Sequence, residues 1–360
     1  MNILISAPSL NPSKNVSGVS TMVNTVIKHN KKHHYFHYLL GRSDQNKNRL
    51  IIIITLIKQL IFFPVFLHLN KIVIVHQNLP FDPKGVLREY IINLWCRLTN
   101  VPVILHIHGG LFITQGTKNI LYKGLILSLF KHSKQVIVLS ELEQIVLKEK
   151  FSFTKTKVLS NCIDTSIYNN RIQNLLTDQP TLLYLGRIEK NKGIIELVEA
   201  LELLKKDFIF RFILCGTGPL VQHCITECER ILENNFEYKG VVSGESKLNE
   251  IENSDIFILP SYFEGLPMAL LETMASGVVP VVTNVGSMKQ IIKHGSNGLH
   301  VKKQDAQDLF DKLKYLLSNP KLYLKLSKNA KQTVLQKYDI KNYIIELNQI
   351  YETSMKVKIK

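Results

Sequence analysis

Two glutamates stand eight residues apart in the stretch SYFEGLPMALLETMASG, Ser261 to Gly277. Glu264 falls in a loop bounded by glycine and proline, and Glu272 falls among Met, Ala and Leu in a run that reads as a helix. A carboxylate in apolar surroundings is costly unless donors satisfy it. Sugar hydroxyls are such donors, and an ionised carboxylate only accepts. The alternative is that Glu272 lies on the polar side of an ordinary amphipathic helix. Pro267 suits the first position of the following helix. Gly265, Leu266, Pro267 and Met268 then lie across that helix N-terminus, where backbone amides and the helix dipole favour a phosphate or an anionic intermediate. Side chains in a helix lean toward its N-terminus, which returns Glu272 toward the same crevice as Glu264.

Other short motifs follow apolar runs. GRIEKNKGI offers Arg187 and Lys192 at the mouth of a helix, an arrangement that suits a diphosphate and equally fits a solvated surface. CGTGPL places Gly216 in a turn. It lacks the third glycine and the acid of a dinucleotide fingerprint, which argues against NAD. HIHGG sets His106 and His108 on one strand face, with His108 nearer the end. A metal site needs a third ligand, and the sequence suggests none. PSLNPSKNVSGVST is a Pro/Ser/Gly loop in which Gly18 and Ser20 open a helix; a plain strand-to-helix loop would look the same.

The elements that must position these residues alternate. Apolar strand candidates are 2–6, 72–76, 102–108 and 135–139, with helical segments at 19–29, 85–98, 119–132 and 141–150. The second half repeats the pattern, with strands at 181–186, 209–215, 236–241, 255–259 and 278–283 and helices at 192–205, 218–233, 245–253 and 267–275. Continuous apolar strands alternating with helices mean parallel sheets covered on both faces. The class is α/β. Two Rossmann-like domains are expected, 1–168 and 181–330, joined by a polar linker at 169–180 and facing an interdomain cleft. A Lys-rich helical tail, 331–360, has no strand of its own. Open sheets of this kind bind ligands beyond the C-terminal ends of their strands, where the motifs above fall.

Bulk properties set the frame. A chain of 360 residues suits two domains, and 45% hydrophobic content with a mean hydropathy near zero describes a soluble globular protein. MNILISAPSL reads as a first strand rather than a signal peptide. Five cysteines without a CxxC pair suit a reducing cytoplasm. Residues 1–165 hold 20 Lys and Arg against 7 Asp and Glu, leaving 25 against 22 for the remainder of a chain with net charge +16. Such a first domain suits a polyanion or an anionic membrane surface, and solubility is the plainer reading. No zinc-finger spacing, RNP signature or basic recognition helix points to nucleic acid. The most apolar segment, 50–69, contains Lys58, Gln59, Pro64 and His68, and so reads as a buried or interfacial helix rather than a span.

GRIEKNKG, CGTGPL, PSYFEGLPMALLETMASGVVPVVTNVGS and HGSNGLHV resemble, in order and spacing, the retaining GT-B glycosyltransferases of family four. The resemblance is strong over 180–302 and collinear but weaker over 1–165. SNCID resembles that family's Asn-Gly-Val-Asp segment, with Cys162 in place of Gly. It implies a transferase that takes a nucleotide-diphosphate sugar, UDP before GDP, as co-substrate and extends a glycan or lipid-linked acceptor for a bacterial surface polysaccharide. Arg187 and Lys192 would hold the diphosphate, Glu264 the donor sugar hydroxyls and Glu272 the ribose. His108 would stand by the sugar C6 group, and Gly18 would let the first loop approach the phosphate. Gly216 and the run Gly265–Met268 would complete the donor site, with neither metal nor other cofactor. The resemblance also implies a C-terminal helix that packs back on the first domain. The cysteine usage and the basic first domain add the expectation of a cytoplasmic protein, peripheral on the inner membrane face. The rival readings are a GT-B nucleotide-sugar epimerase and a non-catalytic nucleotide-sugar-binding subunit. This chain departs from the family's pattern at Ser17, Gln290 and Thr273.

Overall fold

The computed structural model describes residues 1–11, 14–15, 17–40, 49–168, 171 and 174–356. Residues 12, 13 and 16 of the first loop, 169, 170, 172 and 173 of the expected linker, and 357–360 of the tail lie outside the described residues. The chain divides into two compact units, Met1–Cys162 with Ile340 onward, and Ile163–Asp339.

Among the described residues unit 1 carries six strands: β1 (Asn2–Ala7), β2 (His34–Leu39), β3 (Ile74–Leu79), β4 (Val103–Ile107), β5 (Gln135–Val138) and β6 (Thr156–Val158). They pair in parallel in the order β2-β1-β3-β4-β5-β6. The connections carry α1 (Gly18–His29), α2 (Arg49–Leu69), α3 (Pro83–Leu98), α4 (Leu111–Gln115), α5 (Ile120–His132) and α6 (Glu141–Phe151). Parallel neighbours require such crossovers, and buried on both faces the central strands can be apolar throughout. Ile3, Leu4, Ile74, Val75, Ile104 and Leu105 accordingly have no accessible surface. Strand order reverses between β1 and β3, so the crevice of this sheet opens beyond their C-terminal ends.

Unit 2 repeats the construction with β7 (Thr181–Leu185), β8 (Arg211–Cys215), β9 (Phe236–Gly240), β10 (Ile256–Leu259), β11 (Val279–Thr283) and β12 (Leu299–Val301), ordered β12-β11-β10-β7-β8-β9. Its helices are α7 (Ile194–Leu204), α8 (Val221–Leu232), α9 (Gly244–Glu252), α10 (Met268–Ala275), α11 (Met288–Ile291), α12 (Ala306–Leu317) and α13 (Pro320–Lys337). The order reverses between β7 and β10, the two strands that precede Arg187 and Glu264.

The expected tail is two pieces. Residues 331–337 finish α13, which packs on α10 within unit 2. The chain then returns to unit 1 as α14 (Ile340–Lys356), held by Asn30 Nδ2 to Asn348 Oδ1 at 2.8 Å and by buried Tyr351. The buried reading of segment 50–69 is also corrected. Phe63 and Leu67 enter the core, but most of α2 is exposed, because only one of its two apolar stripes meets the sheet.

Candidate functional site

The loops that leave β7 and β10 meet at the reversal of strand order in unit 2. After β7 the chain makes a short 3-10 turn, Lys190–Lys192, and Tyr262 N donates to Asn191 O at 2.8 Å, which seats this turn against the loop after β10. Lys192 Nζ thereby reaches Glu264 Oε1 at 2.7 Å, and Ser261 Oγ donates to the same oxygen at 2.7 Å. Among the described residues Oε2 accepts nothing, so half the carboxylate remains open to a ligand. The side chains are only 12% (Glu264) and 20% (Lys192) accessible, and a charge-assisted bond between such groups holds the carboxylate in one orientation. The backbone is pinned as well. Gly286 has φ +51°, and a Cβ there would lie 1.8 Å from Glu264 O.

Arg187 lies at the same loop with its side chain exposed, and its carbonyl accepts from Tyr184 Oη at 2.5 Å. Gly216, after β8, has φ +137°; a Cβ would meet Gly186 O at 1.8 Å, so glycine is what lets these two loops run together. Gly265 and Pro267 are half-buried, whereas Leu266 and Met268 are buried. Pro267 is the N-cap of α10 rather than its first residue, with φ −66° and ψ 128°. An extended ψ places it outside the helix, and its ring leaves no side chain able to cap the first-turn amides.

Glu272 is 4% exposed, which removes the solvent-facing alternative. Its partner comes from α9: Lys247 Nζ donates to Glu272 Oε1 at 2.5 Å. Tyr168 stands near Glu272, and burial followed by the charge of this carboxylate pushes the phenol's pKa far up. The loop before α10 and the helix itself thus each carry a carboxylate paired with a lysine. Lys247 and Tyr168 were not evident in the sequence. A buried acid demands a counter-charge, but nothing in GESKLNE says which lysine supplies it.

In unit 1, His108 follows β4 and is half-buried. Asn78 Nδ2 donates to Ser6 O at 2.8 Å, so Asn78 Oδ1 faces His108 Nε2, 2.7 Å away, as acceptor. Nε2 therefore carries the proton, and Nδ1 is left as an acceptor. Burial holds the His108 pKa down to about 3, so the ring is neutral at physiological pH. Behind it the rings of His106 and His108 lie 4.2 Å apart, His106 Nδ1 meets His76 Nε2 at 3.3 Å, and His76 Nδ1 meets Tyr351 Oη at 2.7 Å. Among the described residues no group of three or more His, Cys, Asp or Glu is arranged to hold a metal. Gly18 is the first residue of α1.

The three departures from the family's pattern have local accounts. Ser17 is the N-cap of α1, accepting from Val19 N at 3.2 Å. Thr273 donates to Ala269 O at 2.8 Å within its own helix. Gln290 is exposed on α11.

Residues 167–333 match the family model described as glycosyl transferases group 1. The chain is 32% identical over 248 residues to the N,N'-diacetylbacillosaminyl-diphospho-undecaprenol alpha-1,3-N-acetylgalactosaminyltransferase of Campylobacter jejuni, a stretch covering 64% of each chain. It is 23% identical over 330 residues to the UDP-Gal:alpha-D-GlcNAc-diphosphoundecaprenol alpha-1,3-galactosyltransferase of Escherichia coli, covering 84% of this chain and 81% of that one. The matched stretch thus spans under two thirds of the Campylobacter relative's length, and about half that of several others. Among solved structures, sucrose-phosphate synthase from Thermosynechococcus elongatus aligns with a TM-score of 0.82 over 98% of both chains at 17% identity. The fold is GT-B, as the motifs implied.

Proposed function

We propose that the protein, whose residues 167–333 match the glycosyl transferases group 1 family, is a retaining glycosyltransferase. It moves a sugar from a nucleotide-diphosphate sugar, UDP in the first instance, to a lipid-linked glycan during synthesis of a bacterial surface polysaccharide. The observation that carries this reading is a pair of carboxylates, half-buried Glu264 before α10 and buried Glu272 within it, each held by one lysine. Two acids so held can accept hydroxyl donors from the two ends of one donor. Both relatives described above carry a diphosphoundecaprenol acceptor in their names, and one names UDP.

In this reading Glu264 takes the hydroxyls of the transferred sugar through its open oxygen and orients the anomeric carbon. Glu272 takes the ribose hydroxyls while keeping Lys247, since a carboxylate accepts about four bonds. Arg187 and Lys192 hold the diphosphate and stabilise the charge that grows on it as the glycosidic bond breaks. They do the electrostatic work for which other transferases use a metal. The amides of Gly265–Met268 and the loop at Gly216 complete the donor site, and Gly18 lets the first loop approach the phosphate. Retention follows front-side attack, in which the acceptor hydroxyl gives its proton to the β-phosphate oxygen. Neutral His108 accepts from the sugar C6 hydroxyl through Nδ1. The protein works in the cytoplasm, and its basic first unit brings it to the anionic inner face of the membrane.

Calorimetric titration with UDP, GDP and ADP tests the donor half of the proposal. One nucleotide should bind, and both Glu272→Ala and Arg187→Ala should weaken it by tenfold or more, about 1.4 kcal/mol. Absence of binding by all three, or affinity unaffected by both substitutions, would overturn it.

A further inference from the structure

Helix α2 is apolar on both sides. Its inner stripe, Leu60, Phe63 and Leu67, packs into the core of unit 1 against Tyr38 and Ile92, and Tyr38 Oη donates to Gln59 O at 2.5 Å. Its outer stripe, Ile54, Ile57, Ile61, Val65 and Leu69, runs at helical spacing along the opposite side. Each of these residues is about half exposed or more, rising to 59% at Ile61 and 73% at Leu69. Exposed apolar residues are ordinary singly, but a whole helical stripe marks an interaction surface. The helices packed in series beside it, α3 and α5, add exposed Leu94, Leu98, Ile120 and Leu121.

Charge says what covers this layer. Across α2, α3 and α5 the sequence holds seven cations, Arg49, Lys58, Lys84, Arg88, Arg97, Lys123 and Lys131, against one acid, Glu89. Glu89 is fully buried and bonded to Arg88 at 2.8 Å and to Gln77 at 3.0 Å. No carboxylate on these three helices therefore reaches solvent. A second copy would meet the face with the same cations, whereas an anionic lipid surface offers both an apolar interior and the opposite charge. At 21 residues α2 is long enough to span a bilayer. Its inner stripe is engaged by the core, however, and β2, at the sheet edge beneath it, has backbone groups that hydrocarbon would leave unsatisfied.

We infer that α2 lies flat in the interfacial zone of an anionic phospholipid bilayer, its outer stripe among the acyl chains and Lys58 extended toward the headgroups. This rests on the reading of a membrane-borne acceptor and adds the element that reaches the lipid. The test uses the full chain and flotation with phosphatidylcholine vesicles, with and without phosphatidylglycerol. The native protein floats with the anionic vesicles and binds the neutral ones more weakly. Ile54→Asp with Ile61→Asp lowers the partition coefficient by about 100-fold, roughly tenfold for each apolar side chain withdrawn. UDP affinity stays unchanged in the variant, so loss of lipid binding is separable from failure of the donor reading. As a second readout, a polarity-sensitive dye on Ile61→Cys shifts to the blue on adding anionic vesicles, while the same dye on Glu229→Cys in unit 2 does not. The inference is overturned if the native protein ignores phosphatidylglycerol, if the double variant floats as the native does, or if the dye at position 61 stays in water. It is equally overturned if the face mediates self-association without lipid, or if the bound protein resists alkaline extraction as a spanning helix would.

Discussion

Replacing Lys247 by Met would leave the buried Glu272 carboxylate without its charged partner. Breaking a buried ion pair from one side costs about 3–5 kcal/mol when nothing else reaches the stranded charge. Here the Lys247 side chain is 21% accessible, so water reaches part of the pair and the expected loss is smaller, about 2–3 kcal/mol. For a unit of this size that lowers the thermal midpoint by roughly 5–10 °C. The reasoning makes a sharper claim about the pair. Lys247→Met with Glu272→Leu removes both charges and should be more stable than Lys247→Met alone by at least about 1 kcal/mol, because an apolar pair carries no stranded charge. Thermal and urea unfolding followed by far-UV circular dichroism supply the measurement. Tryptophan fluorescence would not, since the single tryptophan, Trp95, lies on α3 in the other unit. A Lys247→Met variant within about 0.5 kcal/mol of the native protein, or a double variant no better than the single one, would refute the claim that this lysine neutralises a buried acid.

Glu264→Gln should lower kcat for sugar transfer by at least about 100-fold while changing UDP affinity less than threefold, a split that steady-state kinetics with calorimetry reads directly. Gly286→Ala must displace the Glu264 backbone, so it should cost about 2 kcal/mol or more in stability and most of the transfer activity. Burial holds His76 and His108 each down to about 3, against an ordinary value near 6.5. The unfolded chain therefore binds more protons between those values, and unit 1 loses stability as the pH falls through that window, by up to about 1.4 kcal/mol per pH unit for each histidine. Urea titrations read by Trp95 fluorescence should show this slope, and His76→Gln should flatten it. His108→Gln should lower kcat/KM without moving any inflection of the rate profile between pH 5 and 8, because the native ring stays neutral throughout.

The central strands were legible because burial on both faces leaves an unbroken apolar run, as in NILIS, PVILHIH and VVPVVT. The strands that escaped notice are β2, β6 and β12, whose segments HYFHYL, TKV and LHV lie at sheet edges. Edge strands are short or partly solvated and carry no such run. The same division holds at the candidate site. Glu264, Glu272, Arg187 and Lys192 stood out through their own neighbours in sequence, and the loops that bear Arg187, Lys192 and Glu264 do meet at the reversal of strand order. The groups that satisfy Glu272 could not be read in that way. Lys247 is 25 residues distant and Tyr168 more than 100, so only the fold brings them to one carboxylate. Helix α2 was left between a buried and an interfacial reading because apolar composition gives length and hydropathy but not which stripe meets the core.

The chain leaves unit 1 at Cys162, builds the whole of unit 2, and only then returns to supply α14. On the ribosome, at about 5–20 residues per second, unit 1 therefore waits some 10–40 s for its last helix. Throughout that interval Tyr351, one of the two partners of His76, has not been made, and the surface that Tyr351 and Leu347 will cover stays open. Unit 2 has no such debt, being continuous in sequence. The nascent protein thus completes its second half before its first, and the incomplete first half is the part a chaperone would need to shield.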